Sequence, residues 1–323
     1  MSDRTIADFL ATVGLLEGRD ADELAALAQV MRRRTMREGE TLFRQGDDAR
    51  ELLFVLDGAV SVSLRLPGNR TAEIGRPGPG AILGEIALLD GQGHTLTARA
   101  VADGAVLALG RLDFAALLAT QHAAAFALRR RLAAHFTARL RDQLRSLATS
   151  LGGDSTAEAG DPAPAAAELE PCPAPDSRYV RRMATFHDFD PLALWGFLTS
   201  GKYVACPPGR SLVAEGAPAT AYYLTINGAV EKVLVRGGRR IRVGLAGPGK
   251  AFGYEGLLDG RPSPVAAITR ERSILLMLPS DVFGQLFHRE DAVSRVFLEA
   301  IQRDLLATLR QTLRPAARLA ASV

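Results

Sequence analysis

Apolar residues alternate with polar ones in two separate blocks of the chain, and glycine turns mark the ends of each alternating run. Leu52-Leu53-Phe54-Val55-Leu56 and Val60-Ser61-Val62-Ser63-Leu64 are joined by Asp57-Gly58, and similar runs return on either side of Asn227-Gly228. A two-residue period with turn residues at its ends predicts strands. The period lengthens to that of a helix in four flanking segments, Ala21–Met31, Phe114–Ala148, Pro191–Thr199 and Ser280–Arg314. In the second of these, Leu128, Leu132, Phe136, Leu140 and Leu144 recur at every fourth position and Leu147 closes the stripe, which predicts a packed helix face. Each strand-rich block is therefore expected to form a small β-barrel clasped by helices.

The two blocks are copies of one unit. Gly78-Pro79-Gly80-Ala81-Ile82-Leu83-Gly84-Glu85-Ile86-Ala87-Leu88-Leu89-Asp90-Gly91 is echoed by Gly247-Pro248-Gly249-Lys250-Ala251-Phe252-Gly253-Tyr254-Glu255-Gly256-Leu257-Leu258-Asp259-Gly260. Gly39, Gly46 and Gly58 pair with Gly209, Gly216 and Gly228 at an offset of 170, and Gly84 and Gly91 pair with Gly253 and Gly260 at 169. The lost residue falls in a hairpin, Pro67-Gly68-Asn69-Arg70 against Arg236-Gly237-Gly238-Arg239, where length changes are best tolerated. Self-similarity at a long, fixed offset divides the chain into a first domain over 1–150, ending in its long helix, and a second over 179–323. Between them, 151–178 is expected to be a linker. Its Gly152–Ser177 stretch holds six acids, no Lys or Arg, and many Pro and Ala, too little apolar surface to fold alone.

At 323 residues and 47% hydrophobic content the chain can bury two ordinary cores. No window is apolar enough to span a bilayer, and Met1-Ser2-Asp3-Arg4 lacks the apolar run of a signal peptide, so a cytoplasmic protein without a membrane partner is expected. Cys172 and Cys206 support neither a disulfide framework nor a metal cage and read as free thiols. The five histidines show no metal-ligand spacing and no catalytic triad is suggested, so neither an enzyme nor a cofactor is expected. Net charge is +3, with Arg129, Arg130, Arg131, Arg139, Arg141 and Arg145 gathered on the long helix. These are read as a solvated face, and no nucleic-acid partner is expected.

The segment Gly84-Glu85-Ile86-Ala87-Leu88-Leu89 follows a strand and a Gly-Pro-Gly turn and is expected to open a short helix. Unpaired N–H groups at such an opening favour an anion, whereas a carboxylate there suits a sugar hydroxyl. Glycine followed by glutamate thus separates a phosphate from a ribose. On these residues, and on the glycines of the barrel turns, the chain resembles the cyclic nucleotide-binding domain of the catabolite activator protein, of kinase regulatory subunits and of gated channels. The resemblance covers Phe9–Thr149 and Val180–Leu313. It implies a mainly β fold with flanking α, two double-stranded β-helix (jelly-roll) barrels each followed by a long helix, and no DNA-binding domain. It also implies a regulatory ligand, cAMP or cGMP. By the resemblance Gly84 and the amides of Ile86 and Ala87 face the cyclic phosphate, Glu85 holds the ribose 2'-hydroxyl, and Leu83, His94, Thr95 and Leu96 complete the site.

The departures from the family pattern carry as much as the match. His94 stands at the position of the family's phosphate-binding arginine and is followed by Thr95 and Leu96. Arginine offers a permanent charge and a bidentate fork, while an unperturbed imidazole is half charged only near pH of about 6.5. Loss of a charged hydrogen bond costs about 1.5–3 kcal/mol, which moves a micromolar site to roughly 10–100 micromolar. In the second copy Tyr254 takes the glutamate position, Glu255 is shifted by one, Gly256 replaces the alanine, and Ser263-Pro264 stands at the arginine position. The second pocket is expected to be silent. The expected function is a non-catalytic cyclic nucleotide sensor that relays binding in the first barrel, through movement of the long helix, to a protein partner. A homodimer through the long helices is the oligomeric form the resemblance implies. The alternatives are an interaction scaffold with decayed pockets and a transcription regulator of the catabolite activator type. The latter is disfavoured because Asp291–Val323 is mostly one further helix.

Overall fold

The computed structural model describes residues 3–14, 16, 20–119, 123–150, 169–236 and 239–320. Two compact units divide at Leu132/Ala133, inside the long helix. The first contains α1 (Asp3–Thr12), α2 (Ala21–Val30), β1 (Met31–Met36), β2 (Thr41–Phe43), β3 (Glu51–Asp57), β4 (Val60–Leu66), β5 (Arg70–Gly75), β6 (Ile82–Leu83), α3 (Glu85–Asp90), β7 (Thr97–Ala100), β8 (Gly104–Gly110), α4 (Arg111–Ala119) and the first part of α5 (Ala123–Ser150). Its strands form two antiparallel sheets in the orders β1-β8-β3-β6 and β2-β7-β4-β5. Leu53, Val55, Leu83 and Val106 from the first sheet meet Val60, Val62 and Ala98 from the second to make the core. The turn at Asp57-Gly58 is tight enough to require glycine: φ is +80° and an added Cβ would lie 2.7 Å from the Asp103 carbonyl oxygen.

The second unit contains the rest of α5, then β9 (Glu170–Pro171), α6 (Ser177–Arg181), α7 (Pro191–Leu198), β10 (Lys202–Cys206), β11 (Ser211–Val213), β12 (Ala221–Asn227), β13 (Val230–Arg236), β14 (Arg239–Ala246), β15 (Ala251–Phe252), α8 (Glu255–Asp259), β16 (Ala266–Thr269), β17 (Ser273–Pro279), α9 (Ser280–His288) and α10 (Ala292–Ala320). Its sheets run β15-β12-β17-β10-β9 and β11-β16-β13-β14, the strand order of the first unit with β9 added at one edge. The duplication read from the glycines is thus a duplication of topology, and each unit is mainly β, of jelly-roll type, with flanking helices.

Three expectations change. Phe114–Ala148 and Ser280–Arg314 are each two helices; the second break is set by Asp291, whose side chain accepts from the Ser294 amide at 2.8 Å and starts α10. The expected linker is structured at its end: β9 pairs with β10, Leu169 packs on the core and the Cys172 amide donates to the Tyr203 carbonyl. Residues 151–168 of that linker lie outside the described residues. The arginines of α5 are not all solvated. Arg129 is buried, and within the second unit Arg141 makes a bidentate pair with Asp259 of α8 at 2.6 and 2.9 Å while donating to the Pro262 carbonyl at 2.7 Å. The leucine stripe from Leu128 to Leu147 is buried throughout, as its spacing predicts. Among the described residues no helix is long and apolar enough to cross a membrane.

The interior of the second unit joins an aromatic cluster, Phe197, Tyr222, Phe283 and Phe297, to a group of buried polar side chains. Asp304 of α10 accepts from the Tyr254 hydroxyl at 2.7 Å and from the Lys232 ammonium at 3.3 Å, and that ammonium lies 5.6 Å from the centre of the Tyr254 ring. Burial alone would lower the Lys232 pKa; the Asp304 and Glu255 carboxylates reverse this and raise it. Burial, with the same two carboxylates, raises Tyr254 well above its ordinary value, and burial pushes Tyr203 up to about 12.

Two outcomes are expected. Lys232, Tyr254 and Tyr203 all hold protons more tightly folded than unfolded, so their contribution to stability is intact below pH of about 10 and is lost as pH rises through the folded values. Urea titrations followed by circular dichroism should show a midpoint that declines above that pH, less steeply in Tyr254→Phe; a pH-independent midpoint would contradict the shifts. Arg141→Ala should destabilise the second unit by about 1–3 kcal/mol, because it leaves the half-buried Asp259 without its counter-ion. Trp195, the chain's sole tryptophan, lies in this unit and reports the transition by fluorescence.

Candidate functional site

In the first unit the candidate residues lie where β6 ends and α3 begins. Gly84 caps α3 in the left-handed region at φ +82°, its carbonyl accepting from the Leu88 amide at 3.0 Å. Gly91, at φ +68°, ends the helix with a bond from its amide to the Ala87 carbonyl. A side chain at Gly84 would lie 3.0 Å from the Glu51 carbonyl oxygen and 3.2 Å from His94 Cε1. The glycine is therefore required both by backbone angle and by the close approach of two neighbours.

The structure places every predicted residue. Gly84 and His94 are in direct apposition. Glu85, the first residue of α3, is buried, as are Ile86 and Ala87 behind it. Leu83 pairs with Leu53 across β6 and β3 and belongs to the core. Leu96 is buried and Thr95 half-buried, on the stretch leading into β7.

His94 is positioned by its backbone. Its amide donates to the Asp47 carbonyl at 2.8 Å, and its own carbonyl accepts from Gly46 at 2.9 Å. The imidazole, 6% exposed, stacks on Phe43 with ring centroids 3.9 Å apart and planes 9° from parallel. A cleft of about 500 Å³ opens beside it, with Arg34, Arg50, Asp47 and Glu51 on its walls. Phe43, Arg34 and Arg50 are not among the site residues expected from the sequence. Phe43 lies on a three-residue strand with no alternation to read, and the arginines come from separate elements that only the fold brings together.

The second unit repeats the scaffold and replaces the chemistry. Gly253 has φ +80°, the Ser263 amide donates to Ala217 at 2.8 Å, and Gly216 donates to the Ser263 carbonyl at 2.9 Å. Ser263 thus occupies the backbone position of His94, and its hydroxyl turns back onto the Val265 carbonyl at 2.8 Å. Tyr254, at the position of Glu85, is fully buried and bonded to Asp304. Glu255 is buried beside it. Among the described residues no cluster of His, Cys, Asp and Glu could hold a metal ion.

The chain is similar to several known proteins over part of its length. A putative potassium channel protein of Rhodopseudomonas palustris is 32% identical over 35% of this chain and 27% of its own length. The cyclic AMP receptor protein of Thermus thermophilus is 33% identical over 32% of this chain and 48% of its own. The chain thus spans half or less of the length of these relatives. Among solved structures, the regulatory domain of Toxoplasma gondii PKA with cAMP is 18% identical, covers 91% of this chain and 94% of that one, and has a TM-score of 0.34. The sequence profile of the cyclic nucleotide-binding domain matches residues 33–121 and 203–290, together more than half of the chain and each centred on one of the two repeated units. With a left-handed glycine in the cassette of both, the chain belongs to the cyclic nucleotide-binding domain family and carries that domain twice.

Proposed function

We propose that the chain is a non-catalytic sensor whose first unit binds cAMP or cGMP at Gly84–Ala87, with His94, Thr95, Leu83 and Leu96 around it, and whose long helix α5 relays the event to a protein partner. The apposition of Gly84 and His94 beside the buried Glu85 carries this reading. The left-handed glycine brings no side chain of its own to the mouth of α3, and Glu85 is the acceptor a ribose hydroxyl requires. The imidazole stands where the cyclic phosphate would lie and offers it one ring in place of an arginine fork. Similarity to a protein named for cyclic AMP supports the choice of ligand. Helix α5 is suited to relay because it continues from the first unit into the second, where Arg141 anchors it to α8.

Calorimetric titration of the full chain with cAMP and cGMP tests the reading. Saturable binding is expected, and Glu85→Ala should abolish it, whereas Ser263→Ala should leave it unchanged; the opposite pattern would move the working site to the second unit. Absence of heat from either nucleotide favours a scaffold with decayed pockets.

His94→Arg should tighten binding about tenfold or more at neutral pH, the return for restoring a charged hydrogen bond. Weaker binding in that variant would show that the pocket is shaped for a ligand without a cyclic phosphate.

A further inference from the structure

Lys232 has no place in a strand interior of this kind unless something neutralises it. Its counterpart 170 residues earlier is Val62, which packs on the first core; the two stand in the same register, Val62 opposite Ala98 and Lys232 opposite Ala267. The valine needs no partner, while a buried ammonium without a counter-charge is costly. Helix α10 supplies the counter-charge. Asp304 follows Phe297 and Ile301 on the buried face of that helix, and its Oδ2 receives both Lys232 Nζ and the Tyr254 hydroxyl. Tyr254 is the residue that replaces Glu85 directly after the cassette glycine. One donor to Asp304 therefore comes from the cassette position of the second unit and the other from the position of a core valine.

We propose that the second unit is self-liganded: the Asp304 carboxylate sits in its interior as a built-in anion, received by Lys232 and Tyr254, and latches α10 onto the cassette without any nucleotide. Calling the cassette position a pocket rests on the reading of Gly84–Glu85 as the nucleotide site; the latch itself does not. Among the described residues the charged or titratable groups around Asp304 are Lys232, Tyr254, Tyr222 and Glu255, the last a buried like charge that shares Lys232 with it. Lys232 comes from β13, Tyr254 caps α8, Glu255 opens α8, and Tyr222 of β12 lies with its ring centre 6.3 Å from that of Tyr254. Glu255 favours the charged lysine and Tyr222 is neutral, held so by burial. Such a unit has a cause for silence beyond missing contacts, because its anion-receiving groups are already bonded.

Chemical rescue separates a latch from an ordinary core contact. Asp304→Ala leaves a hole of carboxylate size lined by an ammonium and a hydroxyl. The melting transition of the second unit should fall by about 10 °C, and amides of α10 should exchange faster. Formate or acetate should recover part of that loss in Asp304→Ala and none in the Lys232→Met/Asp304→Ala variant. An unchanged melting transition, or equal recovery in both variants, would overturn the latch. If Asp304→Ala does not fold, Tyr254→Phe serves instead, with faster exchange in α10 expected and unchanged exchange contradicting the proposal. As an independent arm, Glu85→Ala with saturating cAMP or cGMP should show no new protection in α8 or β14; protection there would refute self-occupation. Failure of the wild-type chain to bind any nucleotide would refute the reading of the first unit while the rescue result stood on its own.

Discussion

Two backbone hydrogen bonds tie the residue before β7 to the turn after β2, and the same two recur before β16 and after β11. His94 is held by Asp47 and Gly46, and Ser263 by Ala217 and Gly216, at distances between 2.8 and 2.9 Å. Because these bonds use main-chain groups alone, they fix where residue 94 or 263 lies against the cassette whatever side chain it carries. The glycine opening the cassette is fixed in the same way, by a left-handed backbone angle in both units. The scaffold can therefore be copied intact while its side chains diverge, and the chain shows both halves of that statement.

What was legible in the sequence follows from this division. The turn glycines and the duplication were readable because a positive φ is a local demand that leaves its mark at a single position. The leucine stripe of α5 was readable because helix periodicity needs only neighbours in the chain. The Asp304 network was not. Lys232 and Asp304 are separated by 72 residues, and each alone looks like an ordinary charged residue on a strand or a helix. One sign was present: Lys232 breaks an apolar position that Val62 keeps. It does not identify the partner without the fold. The same limit hid Arg141, which reads as one of six helix arginines until Asp259 and the Pro262 carbonyl are found beside it.

Charge burial also explains why the two cassettes differ in more than their contact residues. An ion pair taken out of water is held only if its remaining hydrogen-bonding groups are satisfied, and removing one member is far worse than never having had either. Once a lysine entered the interior of the second unit, a carboxylate on α10 became necessary, and a hydroxyl at Tyr254 adds a second bond to it. Tyrosine at that position is thus explained by the pair it serves as well as by the glutamate it displaced.

The first unit lacks this commitment. With Val62 at the equivalent place there is no interior ammonium to neutralise, so a carboxylate reaching in from a helix would be stranded without a counter-ion. At the position of Ser263 the first unit carries an imidazole pressed flat on Phe43. On one backbone plan the second unit thus ties α10 to β13 through Asp304 and α5 to α8 through Arg141, while the first keeps a valine where the buried lysine stands.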